Sequence, residues 1–152
     1  MAKLTRKQVE QAIAAGGSLL QADLSGLDLS GICFVSVGGL VETNLQGCNL
    51  QKVDLSGVSL TRANMQECDL RGAVLDHAFM RRVNLRGADL RHSKMLCTDL
   101  QEANLQDTDL RNTNLTVSSG LDTVNFQGAK YNWQTKWPKW LDLSTKGTKK
   151  IW

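Results

Sequence analysis

From Leu45 to Leu115 every fifth residue is Leu or Met: Leu45, Leu50, Leu55, Leu60, Met65, Leu70, Leu75, Met80, Leu85, Leu90, Met95, Leu100, Leu105, Leu110 and Leu115. Two residues before each stands a small side chain, such as Thr43, Cys48, Val53, Ala63, Ala88 or Ser93. A period of five matches neither the 3.6 of a helix nor the 2 of a strand, so the chain must be read as a repeat first. If residues i and i−2 both point inward, they form a short extended piece with alternating sides. The chain must then turn a corner at i+1 and i+2. Those positions carry turn chemistry, as in Gln46-Gly47, Ser56-Gly57, Arg71-Gly72 and Arg86-Gly87. The chain therefore coils around its own leucine column.

The segments Ala22-Asp23-Leu24-Ser25-Gly26, Ala88-Asp89-Leu90-Arg91-His92 and Ala103-Asn104-Leu105-Gln106-Asp107 resemble the A(D/N)LXX unit of the pentapeptide-repeat proteins. The resemblance spans residues 22–133 and implies an all-β solenoid, a right-handed quadrilateral β-helix of about five to six coils with four pentapeptides per coil. Stacked coils then lie ~4.8 Å apart, the ordinary inter-strand spacing. Twenty residues per coil assign four faces. Face one holds Leu24, Leu45, Met65, Leu85, Leu105 and Phe126, and face two Leu29, Leu50, Leu70, Leu90, Leu110 and Tyr131. Face three holds Phe34, Leu55, Leu75, Met95 and Leu115, and face four Leu40, Leu60, Met80, Leu100 and Leu121. The period slips by one residue between Phe34 and Leu40 and again between Leu115 and Leu121, which predicts two bulges at the corner between faces three and four.

The ends break the pattern, as solenoid ends must if open rungs are not to aggregate. Thr5 followed by Gln8 is a capping-box signature, with Leu4 and Val9 as its staple, and Arg6 to Ala15 reads as a helix stopped by Gly16-Gly17. Residues 1–21 are thus expected to be a capping helix and lead-in, 22–133 the β-helix, and 134–152 a cap and basic tail. Residues Asn132 to Leu143 hold Trp133, Trp137, Trp140 and the only proline, Pro138. They resemble the sequence A-x-Y-N-x-x-T-x-W/F-P that follows pentapeptide arrays, which implies a Trp-rich hydrophobic plug over the last coil.

A chain of 152 residues allows one core, and each inward leucine contributes ~1.5–3 kcal/mol of burial. No run of eighteen apolar residues and no leader is present, so the cytoplasm is expected. Cys48 and Cys68 fall one coil apart at inward positions and read as small buried hydrophobes, although spacing alone would also permit a disulfide. Cys33 and Cys97 point outward.

The net charge of +3 is unevenly placed, at +2 for residues 1–21, −4 for 22–129 and +5 for 130–152. Within the family, quinolone-resistance proteins mimic DNA with a strongly acidic β-helix that binds a topoisomerase. Here the column Asp28, Asp69, Asp89 and Asp109 runs beside Arg71, Arg91 and Arg111, and mutual neutralisation weighs against DNA mimicry. Face one carries columns of Asn44, Asn64, Asn84, Asn104 and Asn125 and of Gln46, Gln66, Gln106 and Gln127, which predict amide ladders between coils.

At i−1 the regular repeats carry Asn or Asp except at Ser59, Val74, Phe79 and Lys94, all on faces three and four. The same faces expose Val35, Leu96, Cys97 and Val117, with His77 stacked under Cys97 and Arg62, Arg81 and Arg82 nearby. Outward apolar groups ringed by arginine are what partner sites look like. The candidate partner-binding residues are therefore Val74, His77, Phe79, Arg81, Arg82, Lys94, Leu96 and Cys97. No catalytic, cofactor-binding or metal residues are expected: His77 and His92 lie on different faces, there is no phosphate loop, and a filled coil has no cleft. The reading is a non-catalytic protein-binding scaffold, regulatory in character, whose rigid display lowers the ordering cost of binding. The alternative is nucleic-acid or anionic-surface binding by the tail, where Lys130, Lys136, Lys139, Lys146, Lys149 and Lys150 interleave with aromatics.

Overall fold

The computed structural model of the chain describes residues 3–35 and 39–152. Its ordering principle is a backbone ladder in which each side of a coil pairs with the next through one bridging residue. Leu45 N donates to Asn64 O at 2.7 Å and Asn64 N donates to Thr43 O at 3.0 Å, and the pattern repeats around and along the coil. Each flat side is only three residues long between turns, so most of the ladder consists of isolated parallel bridges instead of extended strands. Four bridge columns run up the molecule, one per face. On face one Asp23, Asn44, Asn64, Asn84, Asn104 and Asn125 succeed each other, and on face three Cys33, Asp54, Val74, Lys94, Asn114 and Lys136. The columns enclose a core in which Leu24, Leu45, Met65, Leu85 and their counterparts on the other faces are fully buried.

The corners are i to i+3 turns, as in Cys48 N to Leu45 O at 3.0 Å. Residue i+2 takes the left-handed conformation of a type II turn, which suits Gly47, Gly57 and Gly72. Twelve non-glycine residues accept it as well, among them Lys52, Glu67, His77 and Cys97, at ~1–2 kcal/mol each. The conformation aims their N–H at the next coil, as in Arg62 N to Arg81 O at 3.0 Å. Val117 has no positive φ at the equivalent site, because a β-branched side chain tolerates that region poorly.

Inward positions at i−2 remain small, and their hydroxyls are used. Thr43 Oγ1 donates to Leu19 O at 2.9 Å and Thr98 Oγ1 to Leu75 O at 3.0 Å, whereas Ser93 Oγ has no hydrogen-bond partner. Cys48 and Cys68 are free, buried thiols bonded to Leu24 O and Leu45 O, both at 2.9 Å. Burial pushes the Cys68 thiol up to about 12.

At the N-terminus the helix α1 (Arg6–Ala14) is fixed by the reciprocal Thr5–Gln8 capping box. It buries Val9 and rests Ala12 and Ile13 on the core. Lys3 bridges Asp23, which sets Leu4 under Leu24, and Leu19 occupies the face-four column one coil below Leu40.

The structure departs from the expected register at three places. Asp99 bridges Ser119 and Leu100 N donates to Ser119 O, so Gly120, not Leu121, stands in register with Leu100. The extra residue lies one corner later, between Gly120 and Val124, and Leu121 still turns inward and is fully buried. Of the earlier slip, Leu40 N bonding Ser59 O shows face four back in register, while residues 36–38 lie outside the described residues. Second, only Trp137 plugs the coil. It is packed edge-on against Phe126 and Tyr131 at 5.4 and 5.8 Å, while Trp133 and Trp140 face solvent because they fall in turns. Third, the tail folds back: β1 (Lys130–Tyr131) pairs in parallel with β2 (Lys149–Lys150), which follows a short 3-10 helix, Leu143–Thr145. The asparagine ladder forms, for example Asn64 Nδ2 to Asn44 Oδ1 at 3.1 Å. The column glutamines make no such bonds to one another among the described residues, and Gln66 and Gln106 are half-buried.

A candidate partner-binding corner

The corner between faces three and four is where the outward pattern fails. Its turn residues, read upward one coil at a time, are Ser56-Gly57, Asp76-His77, Leu96-Cys97 and Thr116-Val117. Consecutive levels are joined rigidly: His77 N donates to Leu96 O, and the Asp76 carboxylate accepts from Leu96 N, both at 2.8 Å. His77, Leu96, Cys97 and Val117 are all exposed. Phe79 stands beside them on face four between Ser59 and Asp99, with 54% of its surface in solvent. Val74 and Lys94 occupy adjacent levels of face three, Val74 half-buried and Lys94 exposed.

The arginines differ from their sequence reading. Arg82 Nε lies 2.8 Å from Glu102, Arg81 Nε lies 3.6 Å from Asp99 while Arg81 Nη2 donates to Gln101 Oε1, and Arg62 lies 3.3 Å from Glu42. The hydrogen bond from Arg82 holds the Glu102 carboxyl below its usual range and raises the Arg82 guanidinium in return. The rim beside Phe79 is thus locally neutral and forms a shallow depression lined by Thr61, Arg62, Arg81, Arg82, Gln101 and Glu102. Face two neutralises itself in the same way: Arg71, Arg91 and Arg111 each hold an aspartate two residues back at 2.6 Å.

Sequence reading missed the top of this corner. Lys136 bridges Asn114 and Leu115 N donates to Lys136 O, so Trp137 continues the face-three column above Leu115. The next turn along the chain, closed by Leu141 N to Pro138 O, carries Trp140, 60% exposed. The step from Leu115 to Trp137 is longer than one period, which hid the alignment. Among the described residues no group of three or more His, Cys, Asp or Glu side chains is placed to hold a metal ion. None of the described helices is long and apolar enough to cross a membrane.

A family model for pentapeptide repeats matches the sequence in eight copies, over residues 40–76, 63–95 and 80–116. Similar solved structures include the pentapeptide repeat protein Rfr23 of the cyanobacterium Cyanothece 51142. It is 21% identical with a TM-score of 0.51, over 86% of this chain and 97% of that one. A pentapeptide repeat protein of Nostoc PCC 7120 is 27% identical over 99% of both chains, TM-score 0.44. Another, from the Arabidopsis thaliana thylakoid lumen, is 28% identical over 68% of this chain and 71% of that one, TM-score 0.45. Comparison with curated proteins gives no significant match.

Proposed function

This chain belongs to the pentapeptide-repeat family, whose fold is the right-handed quadrilateral β-helix, and from that premise we propose that it is a non-catalytic protein-binding scaffold, regulatory in character. The binding surface is the corner between faces three and four. The observation that carries this reading is the succession of exposed Leu96 with Cys97 and then Val117 on that corner, with Phe79 at its side. A β-helix is filled from within and needs no outward apolar side chain there, and an exposed aliphatic and aromatic row marks interaction sites. Because successive levels are locked by backbone bonds such as His77 N to Leu96 O, the row is displayed without ordering on contact. The cytoplasm is proposed as its compartment. Four unpaired thiols, two of them buried, suit a reducing environment.

The test is a double substitution, Phe79→Ser with Leu96→Lys, compared with wild type in affinity capture followed by mass spectrometry. The melting temperature should stay nearly unchanged, since both side chains are exposed, while a partner retained by wild type should be lost. Equal capture by both proteins would move the site elsewhere. A large fall in melting temperature would show that these side chains support the coil.

A further inference from the structure

The C-terminal end is a second surface, with a different chemistry. Residues 130–152 contain six lysines and a single acidic residue, Asp142. Strand β2 adds one more rung to face two: Lys149 stands opposite Lys130 and Lys150 opposite Tyr131, with Lys149 N to Ala129 O and Ile151 N to Tyr131 O, both at 2.7 Å. The outward column of that face therefore changes sign along the axis. Asp69, Asp89 and Asp109 are each paired with an arginine, and above them Lys130 and Lys149 follow with no carboxylate within salt-bridge distance among the described residues.

Continued upward, the same register sets Trp152 one rung above Trp133, at the corner between faces two and three. These rings are 96% and 80% exposed. The Lys150 ammonium lies 4.3 Å from the centre of the Trp152 ring, a cation–π contact that steadies the ring and leaves its other face open. The corner thus presents two exposed rings on successive rungs, beside the ammonium groups of Lys130 and Lys149 and with Lys150 against one ring.

We propose that this C-terminal rung binds single-stranded nucleic acid, with bases stacking on Trp133 and Trp152 and phosphates neutralised by Lys130, Lys149 and Lys150. The positive charge calls for a polyanion, and the exposed rings select among polyanions. A duplex keeps its bases stacked inside and leaves the tryptophan faces unused, whereas an unpaired strand offers a π-face at every nucleotide. An acidic polypeptide would meet the lysines but offer nothing flat to the rings. A lipid surface would draw on a broad apolar plane, and here two rings sit on one edge with lysines directly beside them. This site shares no residue with the corner between faces three and four, so each reading stands or falls alone.

The full chain is titrated against a fluorescein-labelled oligothymidylate of about 15 nucleotides, read by anisotropy. With three phosphates neutralised on a single strand, affinity should fall about 18-fold between roughly 50 and 200 mM salt. Trp133→Ala with Trp152→Ala should weaken binding at least about tenfold at both salt concentrations without changing the salt slope, and Trp→Phe at both positions should restore part of it. Lys130→Gln with Lys149→Gln and Lys150→Gln should flatten the slope. Circular dichroism melts confirm that each variant is folded; if the lysine variant melts early, Lys150→Gln alone should lower the slope by about one third. The proposal is overturned if wild type does not bind the oligonucleotide at the lower salt, or if the tryptophan variant binds as wild type does. Tighter binding to the duplex of the same length, or binding confined to phosphatidylserine vesicles or polyglutamate, also overturns it.

Discussion

Gly120→Ala isolates the point at which the coil leaves its expected register. Gly120 has φ +74°, and a Cβ added there would lie 2.5 Å from both N and Cα of Gln101 in the coil below, and 2.9 Å from its Cβ. Backbone atoms inside a bonded ladder cannot swing away as a side-chain tip can, so the two coils must part locally. The matched control is Gly72→Ala, with φ +68° and no atom nearer than Lys52 Cγ at 3.6 Å. Both variants incur the left-handed penalty of ~1–2 kcal/mol. Both also regain ~0.4–1 kcal/mol because alanine restricts the unfolded chain. Only Gly120→Ala adds the overpacking cost, ~1–3 kcal/mol, in a coil that has no slack. At ~2–4 °C per kcal/mol for a domain of this size, Gly120→Ala should melt ~2–12 °C below Gly72→Ala in differential scanning calorimetry. Equal melting temperatures would refute the assignment of Gly120 to the column of Leu100, and would return that level to Leu121.

Two further outcomes follow from the interior and from face two. Ser93→Ala removes a buried hydroxyl that bonds to nothing, at a level whose lower neighbour is already Ala73, so stability should rise by ~1 kcal/mol; a drop in the melting temperature would mean the hydroxyl has an acceptor. The Asp69 carboxyl is held below the ordinary aspartate range, first by the Arg71 side-chain hydrogen bond. At Asp109 burial pushes upward but is outweighed by the hydrogen bonds and charge of Arg111. Depressed folded-state values stabilise the native coil above the unfolded value and lose that effect as pH falls through the folded one. Thermal stability should thus hold from pH ~7 to ~5 and decline below ~4, and Asp109→Asn should shrink the acid-side decline. An undiminished decline in Asp109→Asn would separate face two from acid unfolding.

The sequence by itself determined the coil. A five-residue period of Leu and Met leaves one way to bury every fifth side chain of a single chain, and the left-handed i+2 corner needs only the glycines and polar residues that stand there. It also determined which sites are outward, so Phe79, Leu96 and Cys97 were legible as anomalies, because alternation about Leu75, Met80 and Met95 leaves them no other side. Long-range geometry decided what the period could not carry. The charges of Arg81 and Arg82 beside Phe79 are met by Asp99 and Glu102, carboxylates 18 and 20 residues away that only coil stacking brings alongside. The ends were legible only in part: the closing motif singles out Trp137 before Pro138, but that this ring alone of the three packs against Phe126 and Tyr131 while Trp133 and Trp140 stay in solvent was decided by packing. The last rung is the clearest case. Lys149 and Lys150 read as a solvated basic tail, and only the open backbone edge at Ala129 and Tyr131, left unpaired by the final coil, turns them into a strand.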